Sequence, residues 1–531
     1  MSPTTTTQQH VADLQIGLIG MGEATLKEEM KGASVSGRPA SFRPSASSLM
    51  PSSARVRERS DVPNIKVLKD GHQVSRISDF IIYSVEAEYI SQVVKTYGPS
   101  TKPYAIVAGQ TSVKAPEKEA FEKYLPDDVY IVSVHSLHGP TVTTEGQPLV
   151  STPRAHQPIY TRIPRKKPTG RVRSPSQVII QHRAPDEKVR VVEQILESFK
   201  SRYVHLTYEE HDLVTANTQA VTHAAFLSMG TAWKNSQDYP WETSRYVGGI
   251  EIVKINIALR IYSNKWHVYA GLAILNPSAR EQIRMYAACA TDIFKLMVEE
   301  RKEVLRERMY AAREGVFGWT REQEGEGEGD GEGEGEATTG ATTTTTTTAI
   351  KQRKPILLSD RILDQFSLGP KPNDDDAAAA AAGAQHGPNS HLSLLAMVDC
   401  WHKLGIKPYA HLDVAGTPVF MLWIGVAEYL FRSTSRLEMA VECAIRDKTH
   451  RSDDTEFVVA ARGWSQCVSF GSFDLYRSRF EETASFFAPR FQEATVVGGK
   501  MIKTILDESA QVKAAAEAKA ASQAASDKTS L

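Results

Sequence analysis

Short apolar runs that are rich in β-branched residues recur between residues 14 and 205. The clearest are LQIGLIG, DFIIYSV, YAIVAGQ, VYIVSV and QVIIQH. Segments with helical spacing, such as EAEYISQVVKTYG and APEKEAFEKYL, lie between them. Runs of this length predict buried strands, and strands that alternate with helices are typical of a parallel sheet. The pattern therefore predicts an α/β domain over residues 1–205.

After residue 206 the apolar residues recur at a spacing of three to four, which predicts helices. This spacing runs through HDLVTANTQAVTHAAFLSMGTAW, KINIALRIYSNKWHVYAGLAI, AREQIRMYAACATDIFKLMVEERKEVLRERM and NSHLSLLAMVDCWHKLG. The second part of the chain, residues 206–531, is therefore predicted to be an all-α domain.

Several stretches fit neither pattern. Two low-complexity stretches, 320–350 and 370–390, are predicted to be solvated loops inserted into the helical domain, and a tail begins at about residue 510. Segment 26–60 is rich in Ser, Pro and Arg and carries no strand or helix signal. Segment 151–177 is rich in Lys, Arg and Pro and has no acidic residue, so it is predicted to be an inserted loop.

Length and charge limit the class of protein. A single core stops growing at roughly 250 to 300 residues, so 531 residues predict two domains. Lys and Arg number 62 and Asp and Glu 63, and this balance favours neither nucleic acid nor an anionic membrane as a partner. The N-terminus has no secretory leader, and no apolar stretch reaches the length of a membrane span. The four cysteines lack paired spacing and are predicted to be reduced thiols. These features predict a soluble, cytoplasmic protein that acts on a small molecule.

The first strand runs into a glycine pair, IGLIGMGEAT. Gly20 would allow a tight turn and Gly22 would let the backbone approach a pyrophosphate at a helix N-terminus. Thr25 occupies the place of the third glycine of a dinucleotide fingerprint, and segment 26–60 shows no second strand. From these residues alone, a nucleotide site and an ordinary strand-to-helix turn are equally supported.

Two histidines follow another strand, in YIVSVHSLHGP. His135 lies at the carboxyl end of the strand, where open α/β sheets bind ligands. A metal site at His135 and His138 is not expected, because such a pair needs a helix and a third ligand. The alternative is a loop histidine whose ring is satisfied by backbone groups.

Two polar stripes cross helices that are otherwise apolar. They consist of Asn256, Arg260, Asn264 and His267 in one segment, and of Asp212, Thr215, Gln219 and His223 in the other. Side chains at this spacing share one face of a helix. Because the first helix has so much apolar surface, its polar stripe would line a pocket. Periodicity alone equally allows both stripes to be solvated faces.

These motifs together resemble the fungal NADP-dependent prephenate dehydrogenases. The resemblance is carried by GLIGMG, DGHQVSRISDFIIYSVEA, IVAGQTSVKAPEKEAFEKYLP, VHSLHGPTVTTEGQPLV, LTYEEHDLVTANTQAVTHAAFLSMGTAW, INIALRIYSNKWHVYAGLAILNPSA and PNSHLSLLAMVDCWHKLGI. It covers most of 66–150, 178–318 and 388–508. It implies a Rossmann-like domain, whose first crossover helix and second strand are degraded here, followed by an all-α domain for dimerisation and substrate binding.

The resemblance also implies roles for particular residues. HSLHGP matches the family's strand-end motif with His135 as the catalytic histidine, although Ser136 replaces a proline. Ser112 matches a serine that hydrogen-bonds the catalytic histidine and the substrate hydroxyl. The implied substrate-binding residues are Arg260, for a carboxylate, and His223, with Gln219 and Lys254 as weaker matches. The implied cofactor-binding residues are Gly17, Gly20, Met21, Gly22, Ser84 and Val85.

The activity implied is NADP-dependent oxidative decarboxylation of prephenate to 4-hydroxyphenylpyruvate, carbon dioxide and NADPH. This reaction belongs to tyrosine biosynthesis, and the family's helical domain forms a homodimer. Two alternatives stay open. One is arogenate dehydrogenase, whose substrate differs only in its side chain. The other is a catalytically impaired relative that acts as a dimeric binding module.

Overall fold

The computed structural model of the chain describes residues 14–20, 45–47, 66–136, 176–197, 202–237, 239, 241–242, 249–320, 366, 368, 389–415 and 418–504. Segment 151–177, apart from its last two residues, lies outside this range. So do Met21, Gly22, His138, the tail, and the two low-complexity stretches apart from residues 320, 389 and 390.

Eight strands form one sheet in the first part of the chain. They are β1 (Ile16–Ile19), β2 (Ser45–Ser47), β3 (Lys66–Val67), β4 (Phe80–Tyr83), β5 (Ile106–Gly109), β6 (Tyr130–Ser136), β7 (Ser176–Arg183) and β8 (Arg202–His205). Their order in the sheet is β3-β2-β1-β4-β5-β6-β7-β8. The first six strands follow the order of a dinucleotide-binding sheet, with neighbours parallel from β3 to β6.

The second strand of this sheet is short. The sequence predicted no strand between residues 26 and 60, and that prediction is wrong at Ser45–Ser47. These residues pair in parallel with β1, in a register that sets Gly17 beside Ser45 and Ile19 beside Ser47. The strand escaped prediction because SAS has no apolar run, so only its pairing with β1 and β3 defines it.

Strand β7 is antiparallel to β6, whereas the alternating pattern predicted a parallel sheet throughout. The pairing extends from Ile131 opposite Arg183 to Ser136 opposite Gln177. Antiparallel neighbours need no crossover helix. This agrees with the absence of a helical pattern from the sequence of the inserted segment 151–177.

The described helices are as follows. Those of the sheet region are α1 (Gly71–Ile77), α2 (Ile90–Tyr97), α3 (Ala115–Tyr124) and α4 (Asp186–Leu196), with a 3₁₀ turn at Gly98–Ser100. Those that come after β8 are α5 (Tyr208–Thr215), α6 (Val221–Asn235), α7 (Gly249–Tyr262), α8 (Trp266–Leu275), α9 (Pro277–Val298), α10 (Lys302–Phe317), α11 (Leu392–Leu404), α12 (Pro408–Ala415), α13 (Pro418–Arg432), α14 (Thr434–Arg446), α15 (Arg451–Phe470) and α16 (Phe473–Phe487). A π-helical turn at Ala216–Ala220 joins α5 to α6, and a 3₁₀ turn at Ala488–Arg490 follows α16.

Both faces of the sheet are covered. Val93 and Phe121, from α2 and α3, pack with Ile81 and Val107 on one face. Residues of α4 pack with Phe80 and other side chains on the opposite face. This arrangement buries the strands on both sides, as their continuous apolar runs require.

The helical part has a separate, large core. It includes three fully buried tryptophans, Trp401, Trp423 and Trp464. A smaller cluster joins the two parts, because Val178 and Ile180 of β7 pack with Val214 of α5 and Ala415 of α12. None of the four cysteines forms a disulfide. None of the described helices combines the length and apolar character needed to cross a bilayer.

The first predicted polar stripe does not lie on one helix. Helix α7 ends at Tyr262, so Asn264 lies in the connection and His267 belongs to α8. The physical reason is a side-chain cap: Asn264 Nδ2 donates to the carbonyl of Arg260 at 2.8 Å, and Ser263 Oγ donates to the same carbonyl at 2.9 Å. These bonds satisfy an acceptor that the next helical turn would otherwise have used.

Candidate active site

The carboxyl ends of four neighbouring strands meet at one edge of the sheet. The register sets Ile19 of β1 beside Tyr83 of β4, and Tyr83 beside Gly109 of β5. Strand β6 lies next to β5 and carries His135 near its own carboxyl end. Open α/β sheets bind ligands at this edge. The predicted residues Gly20, Ser84, Val85, Ser112 and His135 all follow these strand ends.

Gly20, Ser84 and Val85 converge where β1 and β4 end. The amide of Ser84 donates to the carbonyl of Ile19 at 2.8 Å. Gly20 has φ of 90°, a conformation that L-residues avoid. A Cβ on Gly20 would stand 2.5 Å from the carbonyl oxygen of Ser84 and would also strike Val85. The sequence thus requires glycine here, and the bare backbone leaves room for a ligand's phosphate group.

Gly17 has a different surrounding. It lies inside β1, and a Cβ there would strike the side chains of Val74 and Ser78 at the end of α1. The glycine therefore permits close packing of α1 on the strand. In the structure Gly17 supports the site from behind, whereas Gly20 lies at the strand end.

His135 is held by a histidine from the helical part. Its Nδ1 lies 2.7 Å from Nε2 of His211. Nδ1 of His211 lies 2.9 Å from Oδ1 of the adjacent Asp212. Helix α5 presents these two residues after a capping box in which Thr207 and Glu210 bond each other's backbone. The resemblance implied that Ser112 would hold this histidine, but the described structure gives that contact to His211.

Asp212 also joins the two parts of the chain. Its Oδ1 accepts a hydrogen bond from the amide of Lys114 at 2.7 Å, and its Oδ2 accepts one from the amide of Ala115 at 2.8 Å. These amides lie at the first turn of α3, where N–H groups have no partner within the helix. The carboxylate therefore caps α3 from the helical part.

A buried ion pair lies beneath this contact. Lys114 Nζ donates to Glu117 at 2.9 Å, to the carbonyl of Gly109 at 2.8 Å and to the carbonyl of Val134 at 3.0 Å. Ser133 also donates to Glu117. Both charged side chains are fully buried. The pair ties the carboxyl ends of β5 and β6 together directly below His135.

Burial controls the charge of the two groups behind His135. It lowers the pKa of His211 well below its ordinary range, and the nearby Lys114 ammonium lowers that pKa further. Burial raises the pKa of Asp212 to about 6, although the amides of Lys114 and Ala115 and the Lys114 charge oppose this rise. At neutral pH His211 is therefore neutral and Asp212 is ionised.

Arg260 lies at the C-terminal end of α7 and is partly buried. No ion pair within the described residues involves its guanidinium. The group is close enough to Tyr269 to lower the pKa of that phenol, although burial raises it more. Tyr269 in turn accepts a hydrogen bond from Asn264 at 3.1 Å. Arg260 thus offers a positive charge that no described carboxylate neutralises.

His223 also contacts Tyr269. Their rings meet edge to face with centroids 4.8 Å apart. His223 lines a cavity of about 10 Å³ whose other lining residues are Tyr269 and apolar or aromatic side chains of the helical core, including Leu227 and Trp464. This volume admits no more than a single water molecule. Burial lowers the pKa of His223 to about 4, so its ring is neutral at physiological pH.

Gln219 lies in the π-helical turn Ala216–Ala220, where the other four residues are buried and Gln219 is partly exposed. A π turn takes one residue more than an α turn, which rotates later side chains by roughly 100°. The second predicted stripe is therefore broken, because His223 follows the turn while Asp212 precedes it. Turns of this type are frequent at functional sites.

Lys254 lies in another region of the helical part. Its Nζ pairs with Glu251 at 2.6 Å, and His391 approaches the same carboxylate at 3.0 Å. Lys254 is 3% exposed. Because its charge is neutralised inside the helical core, we assign Lys254 a structural role, in contrast to the substrate contact that the resemblance implied.

Helix α8 brings the helical part close to the nucleotide edge. His267 Nδ1 lies 3.3 Å from Glu86 of the loop that follows β4. A Cβ at Gly271, one turn further along α8, would stand 3.6 Å from Ala87 of the same loop. The helical part therefore contacts the sheet beside the ends of both β4 and β6.

Sequence reasoning missed His211 and gave Asp212 no role in the site. The available signal was the adjacent pair His211-Asp212, placed directly after the capping box in LTYEEHDLV. A titratable pair at the first helix after the last strand lies where a second domain returns to the sheet edge. That signal indicates proximity but not which atom of the sheet it reaches.

Comparison with known proteins gives a consistent result. A family described as a 6-phosphogluconate dehydrogenase C-terminal domain matches residues 220–326 and 337–507. A probable NADP(+) prephenate dehydrogenase of Schizosaccharomyces pombe is 46% identical over 441 residues, 83% of this chain and 87% of the relative. The NADP(+) prephenate dehydrogenase of Saccharomyces cerevisiae is 45% identical over 463 residues, 87% of this chain and 88% of the relative.

A more distant likeness is to a solved structure. The prephenate dehydrogenase from A. aeolicus, in complex with hydroxyphenyl propionate and NAD+, overlaps with a TM-score of 0.40 at 16% identity. It covers 56% of this chain and 94% of that chain. This likeness is too distant to transfer the role of any residue.

Proposed function

The chain belongs to the family of NADP-dependent prephenate dehydrogenases, and from this premise we propose that it catalyses the family's reaction. Prephenate and NADP are converted to 4-hydroxyphenylpyruvate, carbon dioxide and NADPH, a step of tyrosine biosynthesis. The site is the sheet edge at the ends of β1, β4, β5 and β6. The observation that carries the proposal is the position of His135, which follows β6 at this edge and is held by His211 of the helical part.

The residues at the ends of β1 and β4 fit a dinucleotide. Gly20 leaves a backbone cradle that a Cβ would fill, with Ser84 and Val85 on its other side. We propose that these three residues, with Met21 and Gly22, hold NADP, and that Gly17 supports the cradle through its packing. When bound, NADP accepts a hydride from C4 of prephenate.

His135 handles the proton of the C4 hydroxyl. As the hydride departs, the hydroxyl becomes carbonyl-like and its proton becomes acidic. The neutral imidazole accepts this proton, a contribution of about 10²- to 10⁴-fold in rate. Loss of carbon dioxide then makes the ring aromatic, and the phenolic oxygen takes the proton back. The reaction releases no net proton, so His135 ends each cycle neutral.

Arg260 binds a carboxylate of the substrate. Its guanidinium can donate two parallel hydrogen bonds, which suits a carboxylate better than the point charge of lysine. Ser112 lies between β5 and α3 and contributes a hydroxyl beside the reacting centre. His223 and Gln219 complete the substrate side, His223 through Tyr269 and Gln219 through the π turn.

The decisive assay measures NADPH formation by the purified chain. We expect turnover with prephenate and NADP, and much slower turnover with arogenate or with NAD. Faster turnover with arogenate would establish the arogenate alternative. Binding of NADP in a titration without turnover of either substrate would establish the binding module. No binding of NADP at all would remove Gly20, Ser84 and Val85 from the proposal.

We also propose a cytoplasmic homodimer that forms through the helical part. Apolar side chains on α15 and α16 support this interface, since Phe470 is 73% exposed and Leu475 is 45% exposed. Burying such side chains is favourable. Sedimentation of the purified chain should give twice the mass of one chain, and a mass of one chain would contradict the proposal.

A further inference from the structure

Three side chains at the junction of the two parts form a line of hydrogen bonds that ends at His135. The line runs from Asp212 Oδ1 to His211 Nδ1 over 2.9 Å, and from His211 Nε2 to His135 Nδ1 over 2.7 Å. His211 is 1% exposed and Asp212 is 5% exposed. Water therefore does not compete for these bonds, and their direction decides where the protons lie.

The direction begins at Asp212. Both of its oxygens already accept backbone N–H groups, from Lys114 and Ala115. These bonds favour the ionised carboxylate, which can only accept hydrogen bonds. His211 must therefore donate to it from Nδ1.

The direction continues through His211. A buried imidazole with a strongly lowered pKa is neutral, so it donates from one nitrogen and accepts at the other. Since Nδ1 of His211 donates, its Nε2 accepts, and Nδ1 of His135 must be the donor between the two rings. A neutral His135 then carries its proton on Nδ1 and its lone pair on Nε2.

We propose that His211 and Asp212 are positioning residues that hold His135 in the tautomer able to accept the substrate proton at Nε2. The inference rests on the proposed function, because it requires His135 to be the proton acceptor. The proton moves from the C4 hydroxyl oxygen to Nε2 and later to the phenolic oxygen. No proton crosses between the histidines, since His211 keeps its Nδ1 proton towards Asp212.

The charged groups around the line are compatible with this assignment. Helix α3 contributes Lys114 and Glu117, which neutralise each other at 2.9 Å. Helix α5 contributes Glu209, whose charge also raises the pKa of Asp212, after the larger effect of burial. When His135 becomes protonated, the negative charge of Asp212 lies one imidazole away and stabilises the cation.

The test is Asp212→Asn. An asparagine can donate its amide N–H to His211 Nδ1, which reverses both bonds and places the proton of His135 on Nε2. We expect kcat to fall by about 100-fold or more while KM for prephenate changes by less than about threefold. The matched control is Asp454→Asn, since Asp454 is 7% exposed and bonds Ser390 in the helical part. The control should keep kcat within about twofold.

A spectroscopic arm separates this inference from the proposed function. Nitrogen NMR distinguishes protonated from unprotonated ring nitrogens, and the His135 signals are those absent from His135→Asn. We expect a protonated Nδ1 in the unaltered chain and a protonated Nε2 in Asp212→Asn. A protonated Nε2 in the unaltered chain overturns the inference, whether or not prephenate is turned over. Full activity of His135→Asn instead overturns the proposed function.

A second pair of variants covers the case in which Asp212→Asn does not fold. In His211→Gln the amide oxygen can still accept from His135 Nδ1, so kcat should fall by only about tenfold, whereas His211→Leu should lose about a hundredfold. Rescue by the amide is the result that a purely structural role would not produce. Equal kcat in the two variants would refute the inference.

Discussion

The guanidinium of Arg260 is partly buried, and no described carboxylate pairs with it. A positive charge in such a position usually has a partner, since desolvation of an unpaired charge is costly. The carboxylate of the substrate would supply that partner when the site is filled. Arg260 is therefore the residue at which substrate affinity should be most sensitive.

For Arg260→Ala we predict that KM for prephenate rises by about tenfold to a hundredfold while kcat changes much less. The variant Arg260→Lys keeps the charge but loses the paired geometry, so its KM should lie between the two. Initial-rate measurements at saturating NADP check both. An unchanged KM in Arg260→Ala would remove Arg260 from the pocket.

Single residues were predictable where a motif combined a residue type with a strand end. His135 met that condition, and the structure places it at the end of β6. His211 did not, because its partner across 2.7 Å is 76 positions away in sequence and depends on how the helical part meets the sheet. Lys254 had the right type but is neutralised by Glu251, a contact that no pattern of apolar residues reveals.

At the scale of elements, the turn after β1 is the most constrained segment of the described nucleotide edge. Gly20 combines a positive φ with close approach to Ser84 and Val85. Any side chain there must push back the loop that follows β4. The effect on cofactor binding should therefore exceed the effect on stability.

We predict that Gly20→Ala weakens NADP binding by tenfold or more, as an order of magnitude. The matched control is Gly405→Ala, because Gly405 also has a positive φ, 66°, but has open space around it. Both variants should lose about 1 kcal/mol of stability from the strained backbone. Fluorescence titration with NADP measures the affinities, and equal affinity in the two variants would contradict a cofactor role for Gly20.

The helices and strands themselves were largely predictable, since apolar spacing decides which face of each is buried. The exceptions arose where local polar bonds override that spacing. Asn264 and Ser263 end α7 at the carbonyl of Arg260, and the π turn at Ala216–Ala220 shifts the face of α6. Strand β2 carries no apolar signal and exists through its pairing with β1.

On the scale of the whole molecule, the two parts meet through polar and apolar contacts. Asp212 caps α3 and His267 approaches Glu86, while Val178 and Ile180 pack on the helical part. The sequence predicted the two parts, but their mutual placement depends on side-chain bonds between distant segments. Both ends of this junction lie beside strands of the proposed site, so loss of packing there would disturb NADP and prephenate together.

Buried histidines make the stability of the molecule sensitive to acid. Burial lowers the pKa of His223 and of His411 to about 4. As the pH falls below about 6.5, the unfolded chain binds protons first, so this contribution to stability is lost between about pH 6.5 and pH 4. Asp212 and Asp454 act in the opposite sense, because burial raises the pKa of each to about 6 and the folded state protonates first.

For His223→Gln we predict a smaller loss of stability on acidification. The drop in the free energy of unfolding between about pH 7.5 and about pH 5 should be about 1–2 kcal/mol less than in the unaltered chain. Urea unfolding at the two pH values measures it, and the value at high pH isolates the packing cost of the substitution. An identical drop in both proteins would show that His223 titrates normally in the folded state.

The central claim is that His135, at the carboxyl end of β6, takes the proton of the substrate hydroxyl. Steady-state kinetics of His135→Asn with prephenate and NADP test it most directly, with His182→Asn on neighbouring β7 as the control. We predict that kcat of His135→Asn falls by about a hundredfold or more with a modest change in KM, while the control keeps its kcat. A kcat for His135→Asn equal to that of the unaltered chain would contradict the claim.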